Sequence, residues 1–149
     1  MQREVSGDSA RPLWRKLSVD SSNEVLLIDA PRDWSIPGAP AEARIARERG
    51  HAGQTSRAAT IVAFFAALAG VRESLPALAE RIFPDGAVWI AWPRRADGRD
   101  SDIREQDIRE LALALGLVDV KVAALDEHWS GLRLVWRVER RGAARPARR

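Results

Sequence analysis

Residues 87–102 read AVWIAWPRRADGRDSD, and this stretch decides the predicted fold. Its first part, Ala87 to Trp92, is apolar and rich in β-forming residues, which is typical of a strand buried on both faces of a parallel sheet. Pro93 ends the run, and arginines, aspartates and a glycine follow it. Ligands of open α/β sheets bind outside the carboxyl ends of the strands. The sequence therefore predicts a candidate ligand site in the loop after Trp92.

The segments before this stretch show further strand and helix patterns. Continuous apolar runs at Val25–Ala30 and Thr60–Phe65 predict two more buried strands. An apolar stripe with helical spacing lies between the second run and Ala87, and it predicts an amphipathic helix. We place the start of that helix at Ser74, because Pro76 is tolerated only in a first turn.

The segments after the loop predict one helix and two strands. Asp102 and Glu105 have the spacing of a capping box, and Gly116 is a natural helix C-cap. Strands are then predicted at Leu117–Leu125 and Leu132–Val138. The connection between these two strands is too short for a parallel crossover, so they form an antiparallel hairpin.

Strands that alternate with helices predict an α/β fold, here a three-layer Rossmann-like domain whose mostly parallel sheet ends in an antiparallel C-terminal hairpin. We expect one domain over residues 12–138, a loose N-terminus at residues 1–11 and a disordered basic tail at residues 139–149. Residues 41–49 remain ambiguous, because their composition favours a helix while their alternation fits a strand.

The composition excludes several classes of function. The chain has no cysteine and only two histidines, so disulfides and thiolate metal sites are impossible and we expect no metal. No signal peptide or membrane span is evident, which predicts a cytoplasmic protein. The net charge is +3, but residues 138–149 hold five arginines and one glutamate. Nucleic-acid contact is therefore expected only through this tail, if at all.

Several segments carry a resemblance to known families. FPDGAVWIAWPRR resembles the helix, turn and strand segment of S-adenosylmethionine-dependent methyltransferases. More closely, PLWRKL, VLLIDAP and GLVDVKVAALDEHWSGLRLV are similar to a family of small bacterial proteins labelled domain of unknown function 3052. That resemblance covers roughly residues 12–140. It implies a compact Rossmann-like fold and no established activity.

The first candidate site is the loop that follows the opening strand. Trp92, Arg94 and Arg95 lie at the predicted strand end, just before the helix start near Asp102, and could together hold a small anion. The acids of the same loop offset the arginine charge, and Asp102 would occupy the capping position that an anion needs. A solvated loop with internal ion pairs is the alternative interpretation.

The second candidate site is the segment DEHWSG, which gathers Asp126, His128, Trp129 and Ser130 in one turn. These residue types invite a catalytic-triad interpretation, but a triad depends on spatial geometry and the sequence has no nucleophile elbow. We expect Trp129 to close the end of the sheet.

The cofactor expectation depends on the turn after the first strand. A Rossmann-like methyltransferase needs a glycine-rich turn there, whereas this chain continues with Pro31 and has no glycine before Gly38. No acidic residue clearly ends the second strand to hold a ribose. We therefore expect no cofactor, with the missing turn arguing against S-adenosylmethionine. The predicted function is a non-catalytic binding or regulatory module, and a small-molecule enzyme acting at the strand ends is the alternative.

Overall fold

The computed structural model describes residues 13–17, 23–50, 56–94 and 101–142, and in them six strands form one sheet. The strands are β1 (Val25–Ile28), β2 (Ile45–Glu48), β3 (Thr60–Phe64), β4 (Ala87–Pro93), β5 (Leu117–Ala124) and β6 (Trp129–Trp136). The helices are α1 (Leu13–Lys16), α2 (Leu68–Ile82), α3 (Glu105–Leu115) and α4 (Val138–Arg141).

The strand order across the sheet is β2-β1-β3-β4-β6-β5. The first four strands in this order are parallel, and β6 lies antiparallel to both β4 and β5. The predicted α/β class, with a mostly parallel sheet and an antiparallel C-terminal hairpin, is confirmed. The ambiguous segment at residues 41–49 contributes strand β2, which pairs with β1.

Two apolar layers cover the two faces of the sheet. Alternate residues of β4 illustrate the division, since Val88 and Ile90 face the helices α2 and α3 while Trp89 and Ala91 face the other layer. That other layer consists of α1 and the long connection between β1 and β2. Among the described residues, a single helical turn and loop segments thus cover this face of the sheet.

Helix α2 begins earlier than the sequence predicts. It starts at Leu68 with Pro76 in its interior, so the predicted start at Ser74 is wrong. Asp102 explains the earlier start, because its carboxylate oxygen Oδ1 accepts a hydrogen bond of 2.8 Å from the Leu68 backbone N–H. A carboxylate in this position satisfies one of the amides that a helix N-terminus leaves unpaired.

The predicted capping box of helix α3 is therefore also wrong. The residue before the helix is Arg104, which makes no side-chain cap, and Asp102 serves the neighbouring helix instead. The predicted C-cap is confirmed: Gly116 has φ 99° in the left-handed region, and its N–H bonds the Ala112 carbonyl. This conformation is costly for a residue that carries a Cβ.

The C-terminal hairpin differs from its prediction at both ends. Strand β6 begins at Trp129, three residues earlier than predicted, and ends at Trp136. The chain then forms the short helix α4 at Val138–Arg141, and the expected disorder of residues 139–149 stays a prediction. The segments 1–12 and 143–149 lie outside the described residues. None of the helices that the structure describes has the length and apolar character needed to cross a membrane.

Candidate functional site

The strand order reverses at β1, and this creates a topological switch point at the carboxyl ends of the parallel strands. From β1 the chain moves to β2 on one side, and β3 then lies on the opposite side of β1. Open α/β sheets bind ligands at such a switch point, outside the carboxyl ends of the strands. The residues that follow β1, β2 and β3 are therefore the first place to look for a site.

An aromatic cluster fills the carboxyl end of β3 and the start of β6. Phe64 makes edge-to-face contacts with Trp34 and with Trp129, each at a ring-centroid distance of 5.0 Å. All three side chains are buried. The Trp34 indole N–H also donates a 2.8 Å hydrogen bond to Oδ2 of Asp126. We call Trp34, Phe64 and Trp129 the aromatic cap. These packed side chains leave no open cleft at the part of the sheet edge that they cover.

Asp126 organises the turn between β5 and β6. Its Oδ1 accepts hydrogen bonds from the backbone N–H groups of His128 (2.7 Å) and Trp129 (2.9 Å), while Oδ2 accepts the Trp34 bond. Arg94 contacts the same turn, because its backbone N–H bonds the His128 carbonyl and its guanidinium bonds the Asp126 carbonyl. The contacts shown for Asp126 and Arg94 therefore hold a turn in place.

Of the remaining predicted site residues, Trp92, Trp129 and Ser130 lie on the paired strands β4 and β6, whereas Asp102 lies elsewhere. Trp92 is buried in the core between the sheet and the helices, and Asp102 caps α2. Ser130 is half-buried in β6, opposite Trp92 and Ala124. Arg95 lies outside the described residues. Trp129 closes the end of the sheet within the aromatic cap.

A cleft of about 260 Å³ opens instead at the ends of β1 and β2. Its volume is close to the lower end of the roughly 300–1,000 Å³ range of small-molecule sites. Carboxylates and guanidinium groups dominate its polar lining, and the lining residues are Leu27, Asp29, Ala30, Arg32, Arg47, Glu48 and Arg49. The loop after Trp92 contributes no lining residue among those that the structure describes.

Glu48 is the acidic residue that the sequence analysis did not identify. It is the last residue of β2 and pairs in register with Ile28, the last residue of β1. Both carboxylate oxygens accept hydrogen bonds from Arg81, at 3.0 and 3.1 Å. The Glu48 side chain is 22% exposed while that of Arg81 is 3% exposed, so the pair is anchored on the buried side and reaches the cleft through Glu48.

The backbone after β1 adopts an unusual conformation. Asp29 has φ 58° although it is not a glycine, and its Oδ1 accepts a 2.8 Å hydrogen bond from the Gly50 N–H. Its own N–H bonds the Glu48 carbonyl at 2.9 Å. These two bonds join the loop after β1 to the loop after β2. Asp29 therefore stands where a glycine-rich turn would begin and holds the left-handed conformation itself.

The described residues contain no candidate metal site. Across residues 13–17, 23–50, 56–94 and 101–142, no group of three or more histidine, aspartate or glutamate side chains is placed to hold a metal ion.

Solved structures with this fold include several methyltransferases. The chain is similar to an O-methyltransferase from neocarzinostatin biosynthesis in complex with S-adenosylmethionine and 2-hydroxy-5-methyl naphthoic acid, at 14% identity and a TM-score of 0.54, covering 88% of this chain and 52% of that one. It is also similar to a LepI variant in complex with S-adenosylhomocysteine and a substrate analogue, at 12% identity and a TM-score of 0.52, covering 92% of this chain and 50% of that one.

A third similar structure is magnesium protoporphyrin IX methyltransferase from Synechocystis PCC 6803 with bound S-adenosylmethionine. It shares 12% identity at a TM-score of 0.50, and the match covers 77% of this chain and 70% of that one. This chain spans about half the length of the first two structures. These similarities confirm a Rossmann-like, methyltransferase-like fold.

No model of a protein family matches the sequence, and no curated protein is significantly similar to it. Membership of the domain of unknown function 3052 family, like the bacterial and cytoplasmic origin, therefore stays a prediction.

The cofactor expectation, by contrast, is wrong. It excluded S-adenosylmethionine because the turn after β1 lacks glycine, yet the fold is shared with proteins that hold this cofactor or S-adenosylhomocysteine. The expectation also overlooked Glu48 at the end of β2. In dinucleotide-binding folds an acidic residue about 20 positions beyond the first strand binds the ribose.

Proposed function

We propose that this protein is a binding or regulatory module that holds S-adenosylmethionine or S-adenosylhomocysteine at the cleft between β1 and β2 and does not transfer the methyl group. The observation that carries the proposal is the position of Glu48. Its carboxylate ends β2 beside the switch point and lines the cleft. A carboxylate offers about four lone-pair positions, and Arg81 uses one on each oxygen. The remaining positions suit the two hydroxyl groups of a ribose.

The nucleoside half of the cofactor is the part that would lie in the cleft. Leu27 and Ala30 supply apolar surface, and Glu48 supplies the acceptor oxygens. When bound, S-adenosylmethionine would bring an electrophilic methyl group to this edge of the sheet. The chain's own residues would bind and orient the nucleoside.

The aromatic cap is the reason for proposing binding without methyl transfer. A transferase needs space beside the cofactor for a methyl acceptor and a group that can take its proton. Trp34, Phe64 and Trp129 fill the neighbouring strand ends, and Asp126 is engaged by three hydrogen bonds. The alternative hypothesis, a small-molecule enzyme at the strand ends, requires the cap to open.

Calorimetry with S-adenosylmethionine and with S-adenosylhomocysteine tests the proposal. We expect saturable one-to-one binding of at least one of them. Glu48→Gln should weaken it by roughly tenfold or more, because a hydrogen bond to a charged group contributes about 1.5–3 kcal/mol. Glu42→Gln is the matched control, since Glu42 is exposed and lies outside the cleft lining.

The outcomes separate the hypotheses. Absence of binding by both compounds would contradict the proposal. Steady conversion of S-adenosylmethionine by the protein in the presence of candidate acceptors would instead support the enzyme hypothesis. Equal losses in Glu48→Gln and Glu42→Gln would show that the ligand does not use the cleft.

A further inference from the structure

Three arginines line the cleft that contains Glu48. Arg32 follows β1, Arg47 belongs to β2, and Arg49 follows β2 directly. All three residues are exposed. The sequence predicts an anion site at Arg94 and Arg95, and the structure brings these three other arginines together at the ends of β1 and β2.

The charges around the cleft do not cancel. Four guanidinium groups, those of Arg32, Arg47, Arg49 and Arg81, face or support the cleft, against the two carboxylates of Asp29 and Glu48. Both carboxylates are already engaged, Glu48 by Arg81 and Asp29 by the Gly50 N–H. The local sum is therefore two positive charges.

Among the described residues, only Arg81 of these four forms an ion pair, and the other three guanidinium groups are not neutralised. Arg47 donates to the Trp34 carbonyl, which fixes its side chain against the connection between β1 and β2. Within the part of the chain that the structure describes, neither Arg32 nor Arg49 forms an ion pair or a side-chain hydrogen bond. They flank the cleft from two different strand ends, so one ligand group could contact both.

The planar guanidinium fork suits a phosphate or a carboxylate group, and the charge of the cleft favours the phosphate. It presents several N–H donors in a fixed geometry that matches two phosphate oxygens at once. A phosphate monoester carries a charge of about −1.5 to −2 at neutral pH. That charge balances the local excess of the cleft.

We propose that the cleft accepts a phosphate-bearing ligand, in the first place a nucleoside monophosphate, whose phosphate is held by Arg32 and Arg49 while its ribose lies against Glu48. The ribose part of this inference rests on the function proposed above, whereas the phosphate part rests on the two arginines alone. A carboxylate on an adenosyl ligand is the competing source of negative charge, and the experiment includes it.

The test compares ligands with and without a charged portion. Calorimetric titrations use adenosine monophosphate against adenosine, and S-adenosylhomocysteine against methylthioadenosine, which lacks the amino-acid portion with its carboxylate and ammonium groups. We expect adenosine monophosphate to bind at least tenfold more tightly than adenosine. The double variant R32Q/R49Q should remove this difference, and added salt should weaken the phosphate-dependent part.

Arg44→Gln is the matched control, because Arg44 is exposed and precedes β2 but does not line the cleft. It should leave the ratio of the two affinities unchanged. Equal binding of adenosine monophosphate and adenosine, or an equal loss in Arg44→Gln and R32Q/R49Q, would overturn the phosphate inference.

The remaining outcomes distinguish this inference from the proposed function. If R32Q/R49Q weakens only S-adenosylhomocysteine, the arginines hold a carboxylate, so the phosphate inference is wrong and the proposed function stands. If adenosine monophosphate binds through Arg32 and Arg49 while neither S-adenosyl compound binds, the phosphate inference stands and the proposed function is wrong.

Discussion

Asp126 shows how a residue type can suggest chemistry that its contacts do not support. In the sequence it lies beside His128 and Ser130, which invites a catalytic interpretation. In the structure its two carboxylate oxygens accept three hydrogen bonds, two from the backbone of its own turn and one from Trp34. Trp34 is 92 residues away in the chain, so no local pattern could have revealed this partner.

Replacement of Asp126 by alanine should destabilise the protein. We expect Asp126→Ala to lower the free energy of unfolding by about 3 kcal/mol, because hydrogen bonds to a charged group contribute about 1.5–3 kcal/mol each and this carboxylate is partly exposed. Tryptophan emission should also change as the Trp34 indole loses its partner. Denaturant unfolding followed by fluorescence measures both effects.

Glu127→Ala is the control for this prediction, since Glu127 is the exposed neighbour in the same turn. A surface substitution of that kind changes stability by about 0.5 kcal/mol or less. If Asp126→Ala unfolds at the same denaturant concentration as Glu127→Ala, the structural role assigned to Asp126 is wrong.

The role of Glu48 is a point that the sequence alone leaves undecided. Its segment, residues 41–49, fits both a helix and a strand, and only the strand interpretation puts an acidic residue at a strand end. Pairing with β1 decides between them, because the parallel register from Val25↔Ile45 to Ile28↔Glu48 supplies backbone partners that a short helix would not have. The deciding contacts are therefore non-local.

Among the elements, helix α2 and strand β2 are joined by one buried side chain. Arg81 lies in the last turn of α2 and reaches across to Glu48, with a further hydrogen bond of 2.8 Å from its Nε to the Ser56 carbonyl. Arg81 is 2% exposed, so these partners replace the hydrogen bonds that water would make with its guanidinium group. Removing one partner of a buried ion pair strongly destabilises a protein, because the other charge is left buried and unpaired.

Arg81→Met should therefore lower the free energy of unfolding by about 3 kcal/mol, since it leaves a half-buried carboxylate without its partner. The double variant R81M/E48Q should lose less than the sum of the two single variants, with a coupling of about 1–3 kcal/mol. Chemical denaturation of the three variants completes the cycle.

Arg57→Met provides the comparison, because the Arg57–Asp85 ion pair is exposed, with side-chain exposures of 47% and 73%. Exposed pairs contribute about 0–1 kcal/mol. A cost for Arg81→Met no larger than that for Arg57→Met would mean that Arg81 does not connect α2 to β2.

The elements themselves could be predicted well where their signal is local. Strands β1, β3 and β4 are buried on both faces, and such strands consist of continuous apolar runs that can be recognised in the sequence. The start of α2 could not be predicted, because its capping carboxylate comes from Asp102, 34 residues away. The apparent capping box at Asp102 was misleading for the same reason.

At the scale of the whole molecule, the order of the strands decides where a ligand can bind. The sequence predicts a parallel sheet and a site at its carboxyl edge, but it does not reveal which strand ends are open. Trp34, in the loop after β1, packs against Phe64 and bonds Asp126, and so closes one part of that edge. The cleft with Glu48 remains at the other part, beyond the residues that the sequence pattern emphasised.

The most direct test of this account is to map the binding of S-adenosylhomocysteine on the backbone amides by NMR. Shifts should concentrate at Asp29 and at Glu48–Gly50, where the two loops line the cleft, while the amides of Arg94 and Trp129 stay unchanged. Binding that instead shifts Arg94 and the turn at Asp126, and leaves the end of β2 unaffected, would place the ligand at the aromatic cap and contradict the account.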